Sequence, residues 1–463
     1  MNKLVINAKD FVLGASETDF YSDGGYSPED KGANINAVKG LLYPQMLLTA
    51  KEGTVYKGIA ICYGRKAAEI TINNALMGAN PDNDDGYFYL VDSAGIGTQA
   101  ATDDGRDYKA GKGDIIFFKD NFYATSTTDV ALLGYDLVTG SDYDWWHDTK
   151  GNTSLNSYCN HPLLVLDDVL YIGDANKVHT WDGSTDTEAF LTLPLEEIIT
   201  AMIVYNYKIY IATEPYYNYG GDYHVSGKIY EWDGTSSQWD NVYELGDKVN
   251  AFYVFKGQLY LFTPRFFARW NGISFIKLRD VSTNIYKQQI TDYQDYLFYA
   301  EGKTLVCFDG QYFSYPYSNL NSSTLLAKDI DLITAGYQNY LFLNTNNANY
   351  STTTTSGTGV SYWRANRYSF GQNCYIRKLI VELQTPLVSG SEIEFYFYDH
   401  NGTSKTIGTM TYATDGAVSI KEFKNINIKT YSIQPRVYFK VNGKPIRQLT
   451  VEYEPTEQPG RTS

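Results

Sequence analysis

Residues 200–213 (TAMIVYNYKIYIAT) and residues 250–263 (NAFYVFKGQLYLFT) align without a gap, and this repeat decides the fold. Each copy has an apolar strand, a short polar turn and a second strand that carries an aromatic residue. The segments YQDYLFY from Tyr293 and YQNYLFL from Tyr337 repeat the same pattern. The aromatic residues of the repeated second strands are Tyr123, Tyr171, Tyr210, Tyr260, Phe298 and Phe342. Short strands that recur about every 40 residues predict the blades of a β-propeller.

A second marker recurs in phase with the first. It is an aromatic residue followed by Asp-Gly or Asn-Gly, at residues 181–183 (WDG), 232–234 (WDG), 270–272 (WNG) and 308–310 (FDG). Asp-Gly and Asn-Gly favour the positive φ angles of a two-residue hairpin turn. We expect the preceding aromatic residue to end a strand and to wedge between neighbouring blades.

These markers predict an all-β chain with four parts. Residues 1–37 are predicted to be an N-terminal arm, which is either a terminal strand with a surface loop or a segment that clasps a neighbouring subunit. Residues 38–372 are predicted to be a seven-bladed β-propeller, with six blades as the alternative, and Tyr89 is the expected first-blade counterpart of Tyr123. The repeat stops near Cys374, where six strands with Asn-Gly and Asp-Gly turns predict a small β-sandwich over residues 373–455. Residues 456–463 are predicted to be a flexible tail.

Composition restricts the function. The formal net charge is −15, which disfavours tight binding of nucleic acid because phosphate contacts need Lys and Arg. An acidic wall repels phosphate, so a non-adhesive contact with DNA in a channel stays open. The sequence predicts no membrane anchor and no signal peptide, and therefore synthesis in a cytoplasm. The four cysteines, Cys62, Cys159, Cys307 and Cys374, are far apart and are predicted to be free buried thiols.

The motif search predicts no catalysis. No phosphate-binding glycine loop, nucleophile elbow or zinc-protease motif occurs in the sequence. The five histidines, His147, His161, His179, His224 and His400, show no ligand spacing to another His, Cys or carboxylate. We therefore predict no catalytic residue, no metal ligand and no cofactor. A chance pair of carboxylates could still serve glycan cleavage, but no pair stands out.

Two aromatic clusters are the candidate contact residues for a protein interface or a glycan. The first is an insertion that contains Tyr216, Tyr217, Tyr219, Tyr223 and His224. The second is Trp145 and Trp146. Aromatic rings with polar tips stack on sugars or pack against proteins. The alternative is that these side chains fold back over the blade edges.

The combination resembles the β-propeller structural proteins of tailed-bacteriophage virions, which occur in tails, nozzles and head-to-tail rings. The likeness rests on the polar N-terminal segment, on irregular blades such as QLYLFT…RWNG at residues 258–272, and on IRKLIVELQTPLVSGSEIEFYFYDHNG at residues 376–402. The resemblance implies a virion protein that assembles in several copies around the DNA conduit. Its partners would be copies of itself and other tail or neck proteins.

Two other classes of function remain. One is a carbohydrate-binding propeller on a tail fibre or a cell surface, and the other is a glycan-cleaving enzyme. A symmetric ring of subunits that each bury well over roughly 1,000 Å² would favour assembly. Binding to a glycan array that is lost when the four loop tyrosines are removed would favour carbohydrate recognition.

Overall fold

The structure is a computed structural model, and it describes most of the chain from residue 161 onward and shorter pieces before it. The described residues are 1–7, 15–16, 25–26, 34–36, 41–43, 49–50, 58–62, 65–67, 70–72, 75–82, 85–91, 97–102, 114–119, 121–125, 132–136, 141–144, 155–156, 159, 161–215, 227–302, 304–311, 313–317, 330–336, 340–345, 348–352, 361–365 and 367–456.

The elements are almost all strands. The N-terminal strands are β1 Asn2–Ile6, β2 Ala15–Ser16, β3 Gly25–Tyr26, β4 Asn34–Asn36, β5 Leu41–Tyr43 and β6 Thr49–Ala50. The next ten are β7 Gly58–Cys62, β8 Arg65–Ala67, β9 Ile70–Ile72, β10 Ala75–Asp82, β11 Asp85–Val91, β12 Gly97–Thr102, β13 Ile115–Phe118, β14 Asn121–Thr125, β15 Leu132–Asp136 and β16 Ser141–Asp144. Strands β17 to β24 are Leu163–Leu166, Val169–Asp174, Lys177–Trp181, Asp186–Thr192, Glu197–Tyr205, Lys208–Pro215, Lys228–Trp232 and Asn241–Glu244.

The second half of the chain continues in the same way. Strands β25 to β32 are Ala251–Phe255, Gln258–Phe262, Phe266–Trp270, Phe275–Asp280, Ile290–Tyr293, Tyr296–Glu301, Thr304–Phe308 and Phe313–Tyr317. Strands β33 to β42 are Ile330–Gly336, Tyr340–Thr345, Ala348–Thr352, Ser361–Arg364, Tyr368–Leu383, Glu392–Tyr398, Ser404–Thr411, Ile420–Phe423, Ile428–Val441 and Ile446–Pro455. The helical elements in this part are a 3-10 turn at Lys287–Gln289 and a single α-helical turn, α1, at Tyr412–Asp415.

The strands build small four-stranded antiparallel sheets, so the fold is all-β and propeller-like. Sheet 1 contains β7, β10, β11 and β12, and sheets 2 to 6 take consecutive groups of four strands from β13 to β32. Sheet 7 contains β33, β34 and β35 and is completed by β6 from the N-terminal region. Within the described residues, β8 and β9 form a separate hairpin, and β2 and β3 form a short parallel pair.

The repeated aromatic residues lie at equivalent positions, as predicted. Tyr123, Tyr171, Tyr210, Tyr260, Phe298 and Phe342 are each the third residue of the second strand of their sheet. The prediction for sheet 1 is wrong. Tyr89 lies in β11, the third strand, and Met77 has the equivalent place in β10. The β8–β9 hairpin lies between the first and second strands of sheet 1 in the chain. Because of this extra pair of strands, the prediction assigned Tyr89 to the second strand of the sheet instead of the third.

The Asp-Gly and Asn-Gly turns differ from the expected two-residue turns. Strand β19 ends at Trp181 and β20 begins at Asp186, so four residues connect them. The Asp182 carboxylate accepts hydrogen bonds from the backbone N–H groups of Ser184 and Thr185, at 2.8 and 2.7 Å. Only the glycine of the pair has a positive φ, which is 95° at Gly183. The acidic side chain therefore closes the turn by hydrogen bonding, as in an Asx-turn.

The two-residue turns with positive φ at both positions instead join the first two strands of sheets 3 to 6. The residues are Asp167 and Asp168, Asn206 and Tyr207, Lys256 and Gly257, and Gln294 and Asp295. This is the backbone geometry of a type I′ hairpin, whose twist matches that of the strands.

Neighbouring sheets meet through the two repeated aromatic residues. The ring of Tyr171 in sheet 3 packs edge-on against Trp232 in sheet 4, with centroids 5.7 Å apart. The same pairing joins Tyr210 to Trp270 at 6.4 Å and Tyr260 to Phe308 at 5.7 Å. Tyr123 of sheet 2 and Trp181 of sheet 3 also share one buried cluster, and they follow the same order. The predicted wedging of the aromatic residue between sheets is confirmed for these pairs.

The turns of adjacent sheets also touch. The Tyr171 hydroxyl donates to the carbonyl of Gly234 at 3.0 Å, which joins sheet 3 to the Asp-Gly turn of sheet 4. Lys256 of sheet 5 donates to the carbonyl of Asp309 in sheet 6 at 2.8 Å. A hydroxyl or ammonium group of one sheet thus donates a hydrogen bond to a backbone carbonyl in a turn of the next sheet.

The C-terminal strands form a ten-stranded sheet that bends around one hydrophobic core. Strand β41 pairs with β37 through residues 428–433 and with β38 through residues 434–441, so it belongs to both halves of the sheet. The buried core takes residues from the two halves, including Ile376, Leu379, Val451, Phe395 and Val437. All six strands expected from the sequence occur here. The predicted boundary at residue 373 falls inside β37, and β36 already pairs with β41.

The N-terminal strands are shared between the two regions of the fold. Strand β1 pairs antiparallel with β42, and Ile6 is fully buried in the C-terminal core. Leu42 of β5 is buried in the same core. Asn2–Ile6 is therefore a terminal strand, as the alternative for this segment predicted, and the proposed contact of the N-terminal arm with a neighbouring subunit stays a prediction. The predicted tail lies mostly outside the described residues.

We expect Trp232→Leu to lower the free energy of unfolding by about 3 kcal/mol, because it removes a fully buried indole from between two sheets. The matched control is Ile273→Ala, which changes a side chain that is 81% exposed. Urea unfolding followed by far-ultraviolet circular dichroism measures both. An equal effect of the two substitutions would contradict the role of the aromatic pair.

We expect the stabilising effect of the Asp182 carboxylate to depend on pH. Hydrogen bonds from Thr185 and Ser184 lower its pKa to about 2, whereas an unfolded Asp titrates near about 3.9. The contribution is therefore fully present above about pH 4 and is lost as the pH falls towards 2. The thermal midpoint of Asp182→Asn should lie below that of the wild type at pH 5, and the gap should shrink at pH 3. The exposed control Glu196→Gln should not show this convergence.

Candidate functional site

The two aromatic clusters selected from the sequence lie outside the described residues. Tyr216, Tyr217, Tyr219, Tyr223 and His224 fall between β22 and β23, and Trp145 and Trp146 follow β16. Their interpretation as contact residues therefore stays a prediction. The buried thiols are confirmed for Cys159, Cys307 and Cys374, whereas the side chain of Cys62 is not described.

The structure instead brings three buried residues together at sheet 3, and we call them the Cys–His–Asp cluster. Cys159 and His161 lie in the segment that leads into β17, and Asp174 is the last residue of β18. Their ligand atoms lie within 4.8 Å of one another. The Cys159 Sγ is 3.7 Å from Asp174 Oδ1, and His161 Nδ1 is 3.5 Å from the same oxygen.

Backbone and side-chain donors orient the Asp174 carboxylate. The backbone N–H of Asn156 donates to Oδ1 at 2.9 Å, and the Asn156 amide donates to Oδ2 at 2.8 Å. His179 Nε2 lies 3.4 Å from Oδ2. Because Ala189 N–H donates to Nδ1 of His179 at 3.0 Å, the proton of a neutral His179 is on Nε2 and points at Asp174. Every oxygen of this carboxylate therefore has a donor.

Cys159 and His161 have fewer hydrogen-bond partners than Asp174. His161 Nδ1 is 3.2 Å from the carbonyl of Gly173, and both groups near Nδ1 are acceptors, so the proton is on Nδ1. Among the described residues, the buried Nε2 of His161 has no hydrogen-bond partner. The Cys159 sulfur accepts the backbone N–H of Ala175 at 3.2 Å. The nitrogen that faces Asp174 is therefore the protonated Nδ1, and its proton would have to move to Nε2 before Nδ1 could bind a cation.

Burial sets the protonation of the cluster. Burial, and then the negative charge of Asp174, raises the pKa of Cys159 to about 12, so the thiol is protonated at neutral pH. Burial lowers the pKa of His161 more than Asp174 raises it, so the imidazole is neutral. Burial alone would raise the pKa of Asp174, but the hydrogen bonds from His179 and Asn156 and the nearby His161 hold it below its usual value. Asp174 is therefore a buried anion.

The partners of Asp174 differ from those of three other buried acids. Glu197 pairs with Lys228 at 2.7 Å, Glu301 with Arg279 at 2.7 Å, and Asp247 with Arg265 at 2.9 Å. Among the residues that the structure describes, the side chains that face Asp174 are two imidazoles, an amide and a thiol. Its charge is thus held by hydrogen bonds rather than by a permanent cation.

The position of Asp174 recurs in the repeated sheets, whereas Cys159 and His161 occur only next to sheet 3. Counting three residues after the repeated aromatic residue gives Asp174 in sheet 3, Thr213 in sheet 4, Thr263 in sheet 5 and Glu301 in sheet 6, and all four are buried. Glu301 accepts from Arg279 and from Ser282. A buried polar residue here is therefore a feature of the sheets, and the added Cys159 and His161 are particular to sheet 3.

The sequence search missed this cluster. Cys159 and His161 are two residues apart, which is a usable ligand spacing, but no second such pair follows them. Asp174 lies 13 residues after His161, and only the β17–β18 hairpin brings it back to the start of the sheet. The hairpin register was the missing information.

Comparisons with known proteins give no family. No family model matches the sequence, and no curated protein matches it. One similar solved structure is PorZ of Porphyromonas gingivalis, an essential bacterial surface component of the type-IX secretion system. It has 12% identity and a TM-score of 0.49, and the match covers 86% of this chain and 60% of that one.

A second similar structure is the extracellular domain of a protein assigned to a hybrid two-component system of B. thetaiotaomicron. It has 12% identity and a TM-score of 0.45, and the match covers 79% of this chain and 46% of that one. This chain thus spans about half the length of the matched structures. Neither likeness bears on function. In the part of the chain that the structure describes, no helix is long and apolar enough to cross a membrane.

We expect Asp174→Asn to lower the free energy of unfolding by about 2 kcal/mol, because an amide cannot accept from all the donors that converge on the carboxylate. Thermal unfolding in a buffer that contains a chelator measures the polar network alone. The control is Asp168→Asn, which makes the same chemical change at an exposed turn position. A loss no larger than that of the control would contradict the assigned hydrogen bonds.

Proposed function

We propose that the seven four-stranded sheets are the blades of one closed β-propeller and that the C-terminal sheet is a sandwich-like module attached to it. The order of contacts between sheets supports this arrangement. The first strands β7, β13, β17, β21 and β25 contact one another in sequence. Strand β25 contacts the 3-10 turn before β29, β29 contacts β33, and β33 contacts β7. The sequence of contacts therefore returns to its start after seven sheets.

The proposal that the ring is closed rests on strand β6. It pairs with β35, so that Thr49 lies opposite Ser351 and Ala50 opposite Tyr350. The last blade thus takes its outer strand from the N-terminal side of the first blade. Pairing of chain-distant strands in one blade fastens a ring without help from another subunit and leaves few exposed edges.

An ion pair across the ring gives independent support. Lys287, just before sheet 6, donates to the Asp114 carboxylate at the start of sheet 2, with a distance of 2.5 Å. It also donates to the carbonyl of Leu163 in sheet 3, at 3.2 Å. Sheets 2 and 6 are not neighbours in the proposed ring, so these bonds cross its central channel. A channel that is crossed in this way does not admit a DNA duplex.

The function that this geometry supports best is non-catalytic assembly, and we assign it to the virion of a tailed bacteriophage, after synthesis in the host cytoplasm. The supporting observation is that β1 and β42 pair in one sheet while β6 closes the last blade, so the chain forms a body that is fastened near both ends. A rigid body loses little conformational entropy when it is bound. Copies of such a body, together with other tail or neck proteins, would surround the DNA conduit from outside.

The charge supports the same role. With a net charge of −15, the free subunit repels its copies and stays soluble before assembly. Surfaces that face the conduit would repel the phosphates of DNA, so that DNA passes without sticking. The propeller's own channel is not that conduit, because Lys287 crosses it.

We expect the protein to be a component of purified particles, at a fixed number of several copies per particle. The experiment is quantitative mass spectrometry of particles that are purified on a density gradient from a culture that carries the encoding genome, with the major capsid protein as the reference. Recovery only from cells or from particle-free medium would contradict the virion assignment. Specific binding in a glycan array by the purified protein would then favour the carbohydrate-binding alternative, and release of sugars would favour the enzyme.

A further inference from the structure

The geometry of the Cys–His–Asp cluster is close to that of a tetrahedral metal site. A zinc ion with a Zn–S bond of about 2.3 Å and Zn–N and Zn–O bonds of about 2.0–2.1 Å separates its ligand atoms by roughly 3.3–3.6 Å. The Sγ–Oδ1 distance is 3.7 Å and the Nδ1–Oδ1 distance is 3.5 Å. These two distances are within a few tenths of an ångström of coordinating positions, and all three ligand atoms lie within 4.8 Å of one another.

The charge of the cluster favours a divalent cation. Asp174 is buried and faces neutral or weakly basic groups, whereas Glu197, Glu301 and Asp247 each have a Lys or Arg partner. A zinc ion with one thiolate, one carboxylate and one neutral imidazole has no net charge. Burial of that neutral unit avoids the desolvation penalty of an unpaired buried ion.

The surroundings also match those of a metal site. Metal-binding carboxylates are held by hydrogen bonds from outside the coordination sphere, and Asn156 and His179 supply such bonds to Asp174. The Ala175 N–H points at the Cys159 sulfur, as expected for a stabilised thiolate. His161 Nδ1 faces Asp174, and the buried Nε2 has no hydrogen-bond partner among the described residues, so no contact there opposes a proton on Nε2. These contacts fix the orientation of all three side chains.

We propose that Cys159, His161 and Asp174 bind one zinc ion that fastens the segment before sheet 3 to that sheet. A thiolate and an imidazole select zinc over magnesium or calcium, which prefer oxygen ligands. A water molecule supplies the fourth ligand, and His179 is a positioning residue that acts through Asp174. The ligands are buried, so the role is structural and the ion enters as the chain folds. On binding, the thiol proton of Cys159 leaves to the solvent, and the imidazole proton of His161 moves from Nδ1 to Nε2, so that Nδ1 can coordinate.

The test is the metal content of the full chain, produced in a medium supplemented with zinc and dialysed against a mild chelator. Mass spectrometry of the elements should find one zinc per chain in the wild type. Cys159→Ser and His161→Gln should each lose it, and His179→Gln should retain it with an affinity about 10- to 100-fold lower. Cys307→Ser, which changes another buried thiol, should still contain one zinc.

A second measurement remains valid if a variant does not fold. Wild-type protein produced with cobalt in place of zinc should show the thiolate-to-cobalt charge-transfer absorption, and zinc should displace it. Less than a tenth of an equivalent of zinc in the folded wild type would overturn the proposal, and so would a zinc content in Cys159→Ser or His161→Gln equal to that of the wild type. So would a cobalt spectrum without a thiolate band. Each of these results is independent of whether the protein is found in particles.

Discussion

The aromatic pair between adjacent sheets is the interaction on which the rest of the structure depends. A four-stranded sheet of this size cannot bury both faces by itself, so it needs a neighbour on each side. Tyr171, Tyr210 and Tyr260 each extend from the second strand of one sheet to the aromatic residue that ends the third strand of the next. Because a tyrosine at the same position makes each of these three contacts, the chain can repeat the unit while loops and insertions vary.

A row of such sheets has two open ends, and in the proposed ring strand β6 of the N-terminal region joins them. The residues of β6 complete the last sheet, and those of β1 and β5 enter the C-terminal core. The same region thus fastens the proposed ring and the C-terminal sheet. This arrangement has a high contact order, because the paired strands β6 and β35 are about 300 residues apart in the sequence. We infer that ring closure is a late step in folding.

The local part of this organisation could be predicted from the sequence, and the distant part could not. The positions of Tyr171 and Trp232 repeat in phase, and the contact between them follows from the repeat. The pairing of β6 with β35 and of β1 with β42 leaves no trace in a periodic pattern, because strands of two and five residues do not indicate their distant partners. The Cys–His–Asp cluster was missed for the same reason. Asp174 returns to Cys159 through a hairpin register, which residue spacing alone does not contain.

Closure of the ring within one chain is the central claim, and an engineered disulfide tests it most directly. Thr49 and Ser351 are register partners, and Cα atoms of paired antiparallel strands lie within the range that a disulfide spans. We expect oxidised Thr49→Cys/Ser351→Cys to form this bond within a monomer and to unfold at a higher temperature than its reduced form. The control Thr49→Cys/Asn349→Cys, two residues out of register, should form it poorly. Cross-linking only between molecules, or equal cross-linking of the two pairs, would contradict closure by β6.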